Sequence, residues 1–128
     1  MMGISFPGGV AVNADFNDFT VMSDQPVAAG GDNAAPSPFA LFLASLGTCA
    51  GFFALRFCQQ REIDTSGLRL TLEVEKGETR KLDLVKINLH LPEDFPEKYR
   101  KAIIKATDAC AVKQVILDPP EFIVEAIH

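Results

Sequence analysis

Three cysteines, Cys49, Cys58 and Cys110, are the side chains of this sequence with the greatest capacity for chemistry. A thiolate can act as a nucleophile, a metal ligand or a redox group. An odd number of cysteines in a chain with no export signal argues against a framework of structural disulfides. The thiols are therefore either small core residues or reactive groups. The two histidines, His90 and His128, provide neither a metal site nor a catalytic triad, and we expect no metal, nucleotide or flavin.

The spacing of the cysteines limits which of them can form a disulfide. Cys49 and Cys58 lie nine positions apart in one apolar stretch that predicts a helix, so they point to opposite faces with a rise of about 13 Å between them. A disulfide requires Cα atoms within about 7 Å, which excludes this pair. Any intramolecular pair therefore includes Cys110. Cys49 is its better partner, because the neighbouring Gly47 and Gly51 allow another backbone to approach closely, although inert core thiols remain an open alternative.

Cys110 has the stronger case for reactivity from its local sequence. The apolar stripe of residues 95–117 changes direction, which predicts two helices with a break near Thr107 and Asp108. Asp108 would cap the second helix and Cys110 would lie in its first turn, where the helix dipole favours a thiolate. Lys113 adds a cation close by.

Cys49 lies in a helix that the remaining chain must cover. Between Phe39 and Leu55 there is no charged side chain, and a helix that is apolar on every side belongs in a core, a subunit interface or a membrane. Ser37 and Pro38 predict its beginning, and residues 61–62 its end. Two glycines dilute its hydrophobicity and no basic residue precedes it, so we favour a buried helix over a membrane span. One small sheet cannot cover it, and we therefore expect an obligate homodimer.

Alternating apolar residues predict antiparallel strands on both sides of this helix, and therefore an α+β fold. Before the helix, the expected elements are strands at 4–6, 10–16 and 20–22, with a tight turn at 16–19. After it, they are strands at 68–74, 82–91 and 121–127, with a turn at 76–80 and a β-bulge near Leu84 and Val85. Residues 23–37 have no periodicity and form either a flexible connection or a loop over a site.

Length and charge argue against several classes of protein. With 128 residues the chain most simply forms one domain, residues 1–128, around one core. A net charge of -5 and the lack of a Lys/Arg cluster argue against a nucleic-acid partner. The N-terminal residues show no basic region followed by an apolar stretch, so we expect no signal peptide and a cytoplasmic protein.

Two motifs of the sequence resemble a known family. The run Pro-Ser-Pro-Phe-Ala-Leu-Phe-Leu-Ala-Ser-Leu-Gly-Thr-Cys at residues 36–49, followed by Cys-Ala-Val-Lys-Gln at residues 110–114, resembles the OsmC/Ohr family of osmotically induced and organic-hydroperoxide-resistance proteins. The resemblance implies an α+β intertwined homodimer, with an antiparallel sheet packed on a buried central helix. It also implies that Cys49 is the peroxidatic thiol and Cys110 the resolving thiol, and that an external dithiol restores the pair after each reduction of an organic hydroperoxide.

The chain departs from the family pattern at three places. A Glu of the family's peroxidases has no counterpart at residues 39–40, their N-terminal Arg has none before Arg56, and their usual Pro after the second cysteine is Ala111. In the family the Arg polarises the peroxide and stabilises the thiolate, and the Glu orients the Arg. Without them, apolar surroundings should raise the pKa of Cys49. We therefore expect slow turnover of organic hydroperoxides.

A second function from a different class is also open. Three phenylalanines of the central helix, Phe39, Phe52 and Phe53, would bind an apolar small molecule in a homodimer of this family that has no peroxidase activity. Neither function involves a membrane or a nucleic acid. No role for Cys58 follows from the sequence.

Overall fold

A computed structural model describes residues 1–79 and 81–128 of the chain. The residues form two compact units, residues 1–44 and residues 45–128. The first contains a small sheet and the loop that leads to the central helix. The second contains all three cysteines, a hairpin and two short helices.

The first unit opens with a three-stranded antiparallel sheet. Its strands are β1 (Gly3–Gly8), β2 (Ala11–Phe16) and β3 (Phe19–Ser23), in that order across the sheet. Asn17 and Asp18 connect β2 to β3 with φ angles of 47° and 64°. Two left-handed residues in succession give a turn whose twist matches that of the flanking strands, and Asn and Asp tolerate this conformation best after Gly. The strands and the turn predicted for this region are confirmed.

The loop after β3 is held together by one carboxylate. Asp24 is buried, and its side chain accepts hydrogen bonds from the backbone N–H groups of Gln25 (2.8 Å), Asp32 (3.2 Å) and Ala34 (3.0 Å). These donors, that of Ala34 first, lower the pKa of Asp24. A Cβ atom on Gly31 would lie 2.0 Å from the carbonyl oxygen of Gln25, so this position accepts only glycine. The segment is therefore an ordered loop rather than a flexible connection.

The central helix, α1, spans Pro38–Gln60. Ser37 caps it, since its hydroxyl oxygen accepts the backbone N–H of Ala40 at 3.2 Å and the missing N–H of Pro38 costs nothing in the first turn. The helix ends in a turn in which the carbonyl oxygen of Cys58 accepts the N–H of Ile63 at 2.9 Å. Both predicted ends of the helix are confirmed.

Within the single chain α1 is buried along one side only, as expected of an apolar helix that one small sheet cannot cover. Its buried residues form one stripe, Leu46, Ala50, Ala54, Phe57 and Cys58. Other large apolar residues of the same helix are exposed, namely Phe39, Phe42, Phe52 and Leu55. The reason is geometric, because the elements that pack on a helix within one small unit reach only part of its circumference. By length and composition α1 could cross a membrane, but core helices of soluble proteins pass the same test.

The second unit has a two-stranded antiparallel sheet of β4 (Arg69–Glu75) and β5 (Leu84–His90). Pairing runs without interruption from Arg69 opposite His90 to Glu75 opposite Leu84, so the predicted bulge is wrong. The change of phase lies instead before β5, where the N–H of Asp83 donates to the carbonyl oxygen of Glu75 at 2.9 Å. Of the turn predicted at 76–80, Arg80 lies outside the described residues.

Helices α2 (Arg100–Asp108) and α3 (Ala111–Leu117) follow a short 3-10 turn. The predicted break between two helices is confirmed, but its details differ. Asp108 is the last residue of α2 and not a cap, and Cys110 precedes the first turn of α3 as its N-cap residue. Ile103 of α2 is fully buried and packs in one cluster with Ala54, Phe57 and Cys58.

The strand predicted at residues 121–127 is wrong. Residues 119–128 have no regular structure, and their large apolar side chains are exposed: Phe122, Ile123, Val124 and Ile127. The alternating pattern suits a strand, but a strand requires a neighbour to pair its N–H and C=O groups. The described part of the chain pairs no strand with this segment.

Candidate active site

The second unit brings two of the three cysteines together. Cys49 lies halfway along α1 and is half-buried, whereas Cys110 is 3% exposed. The thiols of Cys110 and Cys49 lie close enough for each to shift the pKa of the other, and neither forms a disulfide. At this level β4 packs beside α1, since a Cβ on Gly47 would make an ordinary contact with Leu72 Cδ1 at 3.8 Å. The disulfide between these two residues stays a prediction.

Helix α3 places backbone donors at the sulfur of Cys49. The N–H of Val112 is the main cause of a lowered pKa at Cys49, while desolvation by burial opposes it. The Cys110 thiol and the N–H of Ala111 lower the pKa further. The expectation that apolar surroundings would raise the pKa of Cys49 is therefore wrong, since it left out the unpaired N–H groups of a neighbouring helix.

Cys110 has the opposite environment. Burial raises its pKa and is the largest cause. The N–H groups of Lys113 and Val112 act against this, but the neighbouring Cys49, once ionised, raises the pKa of Cys110 further. The start of a helix lowers the pKa of a thiol, as predicted. The thiol affected is Cys49, whereas the prediction named Cys110.

Cys58 belongs to the core of the second unit. It is fully buried among Ala54, Phe57 and Ile103. Desolvation raises the pKa of Cys58, and the nearby Arg61 acts in the opposite direction. A thiol held neutral among apolar side chains is unreactive, so Cys58 is a packing residue.

The three phenylalanines predicted to bind a ligand do not form one cluster. Phe52 and Phe53 contact each other edge to face, with ring centroids 5.5 Å apart. Phe39 instead stacks on Phe42 at 5.8 Å. Phe39 and Phe52 are thirteen positions apart on one helix, a rise of about 20 Å, so one chain cannot bring them to the same small molecule.

A groove of about 620 Å³ lies between α1 and α2. Its lining combines aromatic and basic side chains with small residues: Phe52, Phe53, Arg56, Phe57, Gln60, Arg61, Ala102, Lys105, Ala106 and Ala109. Phe53 follows Cys49 by one helical turn, and Ala109 directly precedes Cys110. The sequence analysis missed the convergence of Arg61 and Lys105, whose separation in the chain gives no local signal. Among the described residues, no group of three potential metal ligands occurs.

Residues 30–125 match the family of OsmC-like proteins. This chain is a member of the OsmC-like family. The match includes both Cys49 and Cys110, together with nearly all of the second unit and the last third of the first. No curated protein matches the OsmC-like chain by sequence.

Solved structures show the same α+β fold. A protein of Psychrobacter arcticus assigned to the osmotic stress induced and detoxification response is 21% identical, with a TM-score of 0.75 over 88% of this chain and 85% of that one. An organic hydroperoxide resistance protein OsmC from Legionella pneumophila is 16% identical, with a TM-score of 0.61 over 91% and 88%. A protein of Vibrio cholerae assigned to organic hydroperoxide resistance, with captopril in one active site, is 17% identical, with a TM-score of 0.53 over 90% and 83%.

The OsmC-like chain stabilises its Cys49 thiolate without a charged side chain. Among the described residues, the groups that lower the pKa of Cys49 are two backbone N–H groups and the Cys110 thiol. Arg56 lies two helical turns further along α1 and lines the groove instead. Backbone donors are fixed by the fold and need no desolvation of an ammonium or guanidinium group. They can therefore provide part of the thiolate stabilisation that a cation would give.

Proposed function

We propose that this protein is a thiol-dependent peroxidase that reduces organic hydroperoxides through Cys49 and Cys110. The observation that carries this proposal is the proximity of a partly accessible thiol, whose pKa is lowered, to a buried thiol, whose pKa is raised. A low pKa increases the thiolate fraction at neutral pH, and accessibility lets a peroxide reach it. The fold shared with organic hydroperoxide resistance proteins supports the same reaction class.

In the first step the Cys49 thiolate attacks the terminal oxygen of a hydroperoxide ROOH. A sulfur–oxygen bond forms and the O–O bond breaks, which gives Cys49 sulfenic acid and, after uptake of one proton, the alcohol ROH. Sulfur is oxidised and the peroxide is reduced by two electrons. The N–H groups of Val112 and Ala111 hold the attacking sulfur as a thiolate before this step.

In the second step the Cys110 sulfur attacks the sulfenic acid of Cys49. The thiol proton and the sulfenic hydroxyl leave as water, and a Cys49–Cys110 disulfide forms. An external dithiol then reduces this disulfide and becomes a disulfide itself, which returns both cysteines to thiols. The raised pKa of Cys110 suits the resolving role, because a thiol that keeps its proton does not compete with Cys49 for the peroxide.

The proposed assembly is a cytoplasmic homodimer with no membrane or nucleic-acid partner. Phe39, Phe52 and Leu55 of α1 are exposed in the single chain, and so are the apolar side chains of the C-terminal segment. Isolated apolar residues on a surface are ordinary, but so many of them on one helix and one tail mark an interaction surface. Every cell that makes this protein contains further copies of the chain, so a second copy is the simplest partner for this surface.

The alternative function is binding of an apolar small molecule without peroxide turnover. The groove favours it, since it presents Phe52, Phe53 and Phe57 to a ligand. The same groove contains Arg56, Arg61 and Lys105, so its best ligand would have a negatively charged group at one end. Such a ligand would be bound and released unchanged.

The decisive experiment is a peroxide assay with dithiothreitol as reductant. We expect the wild type to consume cumene hydroperoxide faster than hydrogen peroxide, since apolar side chains surround the thiols. Cys49→Ser should abolish turnover, Cys110→Ser should stop it after about one equivalent, and Cys58→Ala should retain it. If the wild type shows no Cys49-dependent consumption of any hydroperoxide between neutral and mildly alkaline pH, the binding alternative replaces the peroxidase.

A further inference from the structure

The groove between α1 and α2 has a positive charge that no carboxylate compensates. Three basic side chains line it, Arg56, Arg61 and Lys105, and no acidic side chain does. This contrasts with the whole chain, in which 17 acidic residues outnumber 12 basic ones. Within the described part of the chain, none of the three basic residues forms an ion pair with an acidic side chain. Like charges around one groove repel one another, so an anion that enters the groove would relieve this repulsion.

Arg61 is held in place at the edge of the groove. Its guanidinium carbon lies 3.6 Å from the centroid of the Phe57 ring, and its Nη1 donates to the carbonyl oxygen of Phe57 at 3.2 Å. The Tyr99 ring lies 5.5 Å from the same carbon, and the two rings contact each other edge to face at 5.9 Å. A guanidinium has five N–H donors in one plane, and stacking uses its face rather than these donors. Arg61 is therefore a preorganised cation with further N–H groups for an oxyanion.

The groove has an apolar end and a charged end. Phe53 and Arg61 are eight positions apart along α1, a rise of about 12 Å. Phe53 is half-buried and contacts the ring of Phe52, so this end offers an aromatic surface. The residues that α2 contributes are mostly small, namely Ala102, Ala106 and Ala109, which leaves the space open. The other two basic side chains are exposed, and their alkyl stems can cover an apolar ligand while their charged ends reach water.

We propose that this groove binds a small amphipathic carboxylate, whose head group pairs with Arg61 and whose apolar body lies along Phe53. A carboxylate matches a guanidinium because two parallel N–H···O bonds join the two planar groups. The chain has a net charge of -5, so one negative charge suits this local positive region better than a multiply charged group. A volume of about 620 Å³ is in the usual range for small-ligand sites.

This inference goes beyond peroxide reduction, because no cysteine lines the groove and the ligand is bound and released unchanged. It gives the binding alternative a head group and an anchor, and it rests on that alternative for its role in the cell. It does not require the thiols to react.

The test is a titration of the reduced, nitrogen-15-labelled wild type with sodium octanoate, followed by backbone amide chemical shifts. We expect shifts at the amides of the groove residues on both helices, at the millimolar concentrations that suit a ligand of this size. Acetate has the head group without the chain, and 1-octanol has the chain without the charge. Each should bind at least about tenfold more weakly than octanoate. Equal binding of either analogue would overturn the proposal.

Variants of Arg61 test the anchor. Arg61→Gln removes the charge and the planar donors, so the Kd for octanoate should rise about tenfold. Arg61→Lys keeps the charge without the planar donors and should recover only part of the affinity. The matched control is Arg69→Gln, the same change at an exposed arginine of β4 that does not line the groove, and we expect no effect. Wild-type affinity in Arg61→Gln or in Arg61→Lys would overturn the assignment of Arg61.

Ala102→Leu tests the groove itself without changing a charge. Ala102 is an exposed position of α2 that lines the groove, and leucine is a good helix former. The larger side chain should occupy part of the volume and weaken octanoate binding severalfold; unchanged binding would contradict the proposed site. If Arg61→Gln does not fold, Arg61→Lys and Ala102→Leu decide.

The titration also separates this inference from the peroxidase. Absence of octanoate-dependent shifts along both helices overturns the inference, including the case in which a second copy of the chain covers the groove. Octanoate is not a peroxide, so a wild type that binds it without turning over hydroperoxides would end the peroxidase proposal and leave this result standing. Turnover without octanoate binding would end this inference alone.

Discussion

The backbone N–H of Val112 stabilises the thiolate of Cys49, although the two residues lie on different helices and far apart in the chain. The start of α3 therefore lowers the pKa of a thiol on another helix, whereas burial outweighs its effect on Cys110, its own N-cap residue. This asymmetry gives the two thiols opposite pKa shifts while they remain in contact. A nucleophile and a resolving group require that difference.

The first prediction concerns the order of alkylation. Cys49 should react with iodoacetamide at lower pH than Cys110, because backbone donors lower the pKa of Cys49 and burial raises that of Cys110. Below the ordinary thiol pKa of about 8.5, Cys49 should be labelled first. Peptide mapping after brief labelling across this range measures both sites in one sample. Earlier labelling of Cys110 would contradict the assignment of roles.

The second prediction concerns the oxidised protein. One equivalent of cumene hydroperoxide should link Cys49 to Cys110 and leave Cys58 as a thiol, since Cys58 is fully buried in the core. Non-reducing peptide mapping identifies the link. In Cys110→Ser the sulfenic acid of Cys49 should persist and react with dimedone. A dominant link through Cys58 would refute the prediction.

The third prediction concerns pH and stability. Burial raises the pKa of Cys58, so the folded chain keeps a proton that the unfolded chain releases above about pH 8.5. The free energy of unfolding should therefore fall as the pH rises through this range, and Cys58→Ala should lessen the fall. Cys110 contributes with the same sign and Cys49 with the opposite one.

Urea denaturation at neutral and at alkaline pH measures this effect. At neutral pH Cys58→Ala should cost roughly 1 kcal/mol, because it removes one buried sulfur atom from a packed cluster. The deciding quantity is the change of the free energy of unfolding with pH, and not the difference between wild type and variant at one pH. Equal slopes in wild type and variant would show that Cys58 does not titrate differently on folding.

Local sequence was sufficient for the elements whose structure depends on their own residues. The ends of α1 followed from Ser37 and Pro38, and the tight turn from Asn17 and Asp18. The pKa of Cys49 could not be predicted in this way, because its main cause is a donor in α3. The strand expected at residues 121–127 is absent for a related reason. Alternating apolar residues indicate a segment with one apolar face, whereas a strand forms only where another strand pairs with it.

The fourth prediction concerns the loop around Asp24. In Gly31→Ala the new Cβ would lie 2.0 Å from Gln25 O and 2.9 Å from Asp24 Oδ1, so the loop must open. We expect a loss of more than about 1 kcal/mol in stability and faster hydrogen exchange at the amides of Asp32 and Ala34. Gly3→Ala is the matched control, because nothing lies within 4 Å of its added Cβ. Similar exchange in both variants would disprove the close approach.

The fifth prediction tests the homodimer. Leu55 is 36% exposed in the single chain, so Leu55→Glu should be harmless in a monomer. In a dimer that buries this face, an unpaired carboxylate costs several kcal/mol and should dissociate the subunits. Light scattering at micromolar concentration measures the mass of both proteins. Lys101→Glu, a larger change of charge on an exposed position of α2, should leave the dimer intact.

The contact between Cys49 and Cys110 also makes the redox state of the protein a determinant of its stability. A bond between them would close a loop of about 60 residues. In the chain-entropy model, the lost conformational entropy destabilises the unfolded state by about 4 kcal/mol. Thermodynamic linkage is reciprocal, because the free energy by which the disulfide stabilises the fold is also the free energy by which the fold stabilises the disulfide. The oxidised protein would resist heat and proteases better than the reduced one. The reductant must work against that stabilisation in every cycle, so a mutation that loosens the second unit should make the disulfide easier to reduce.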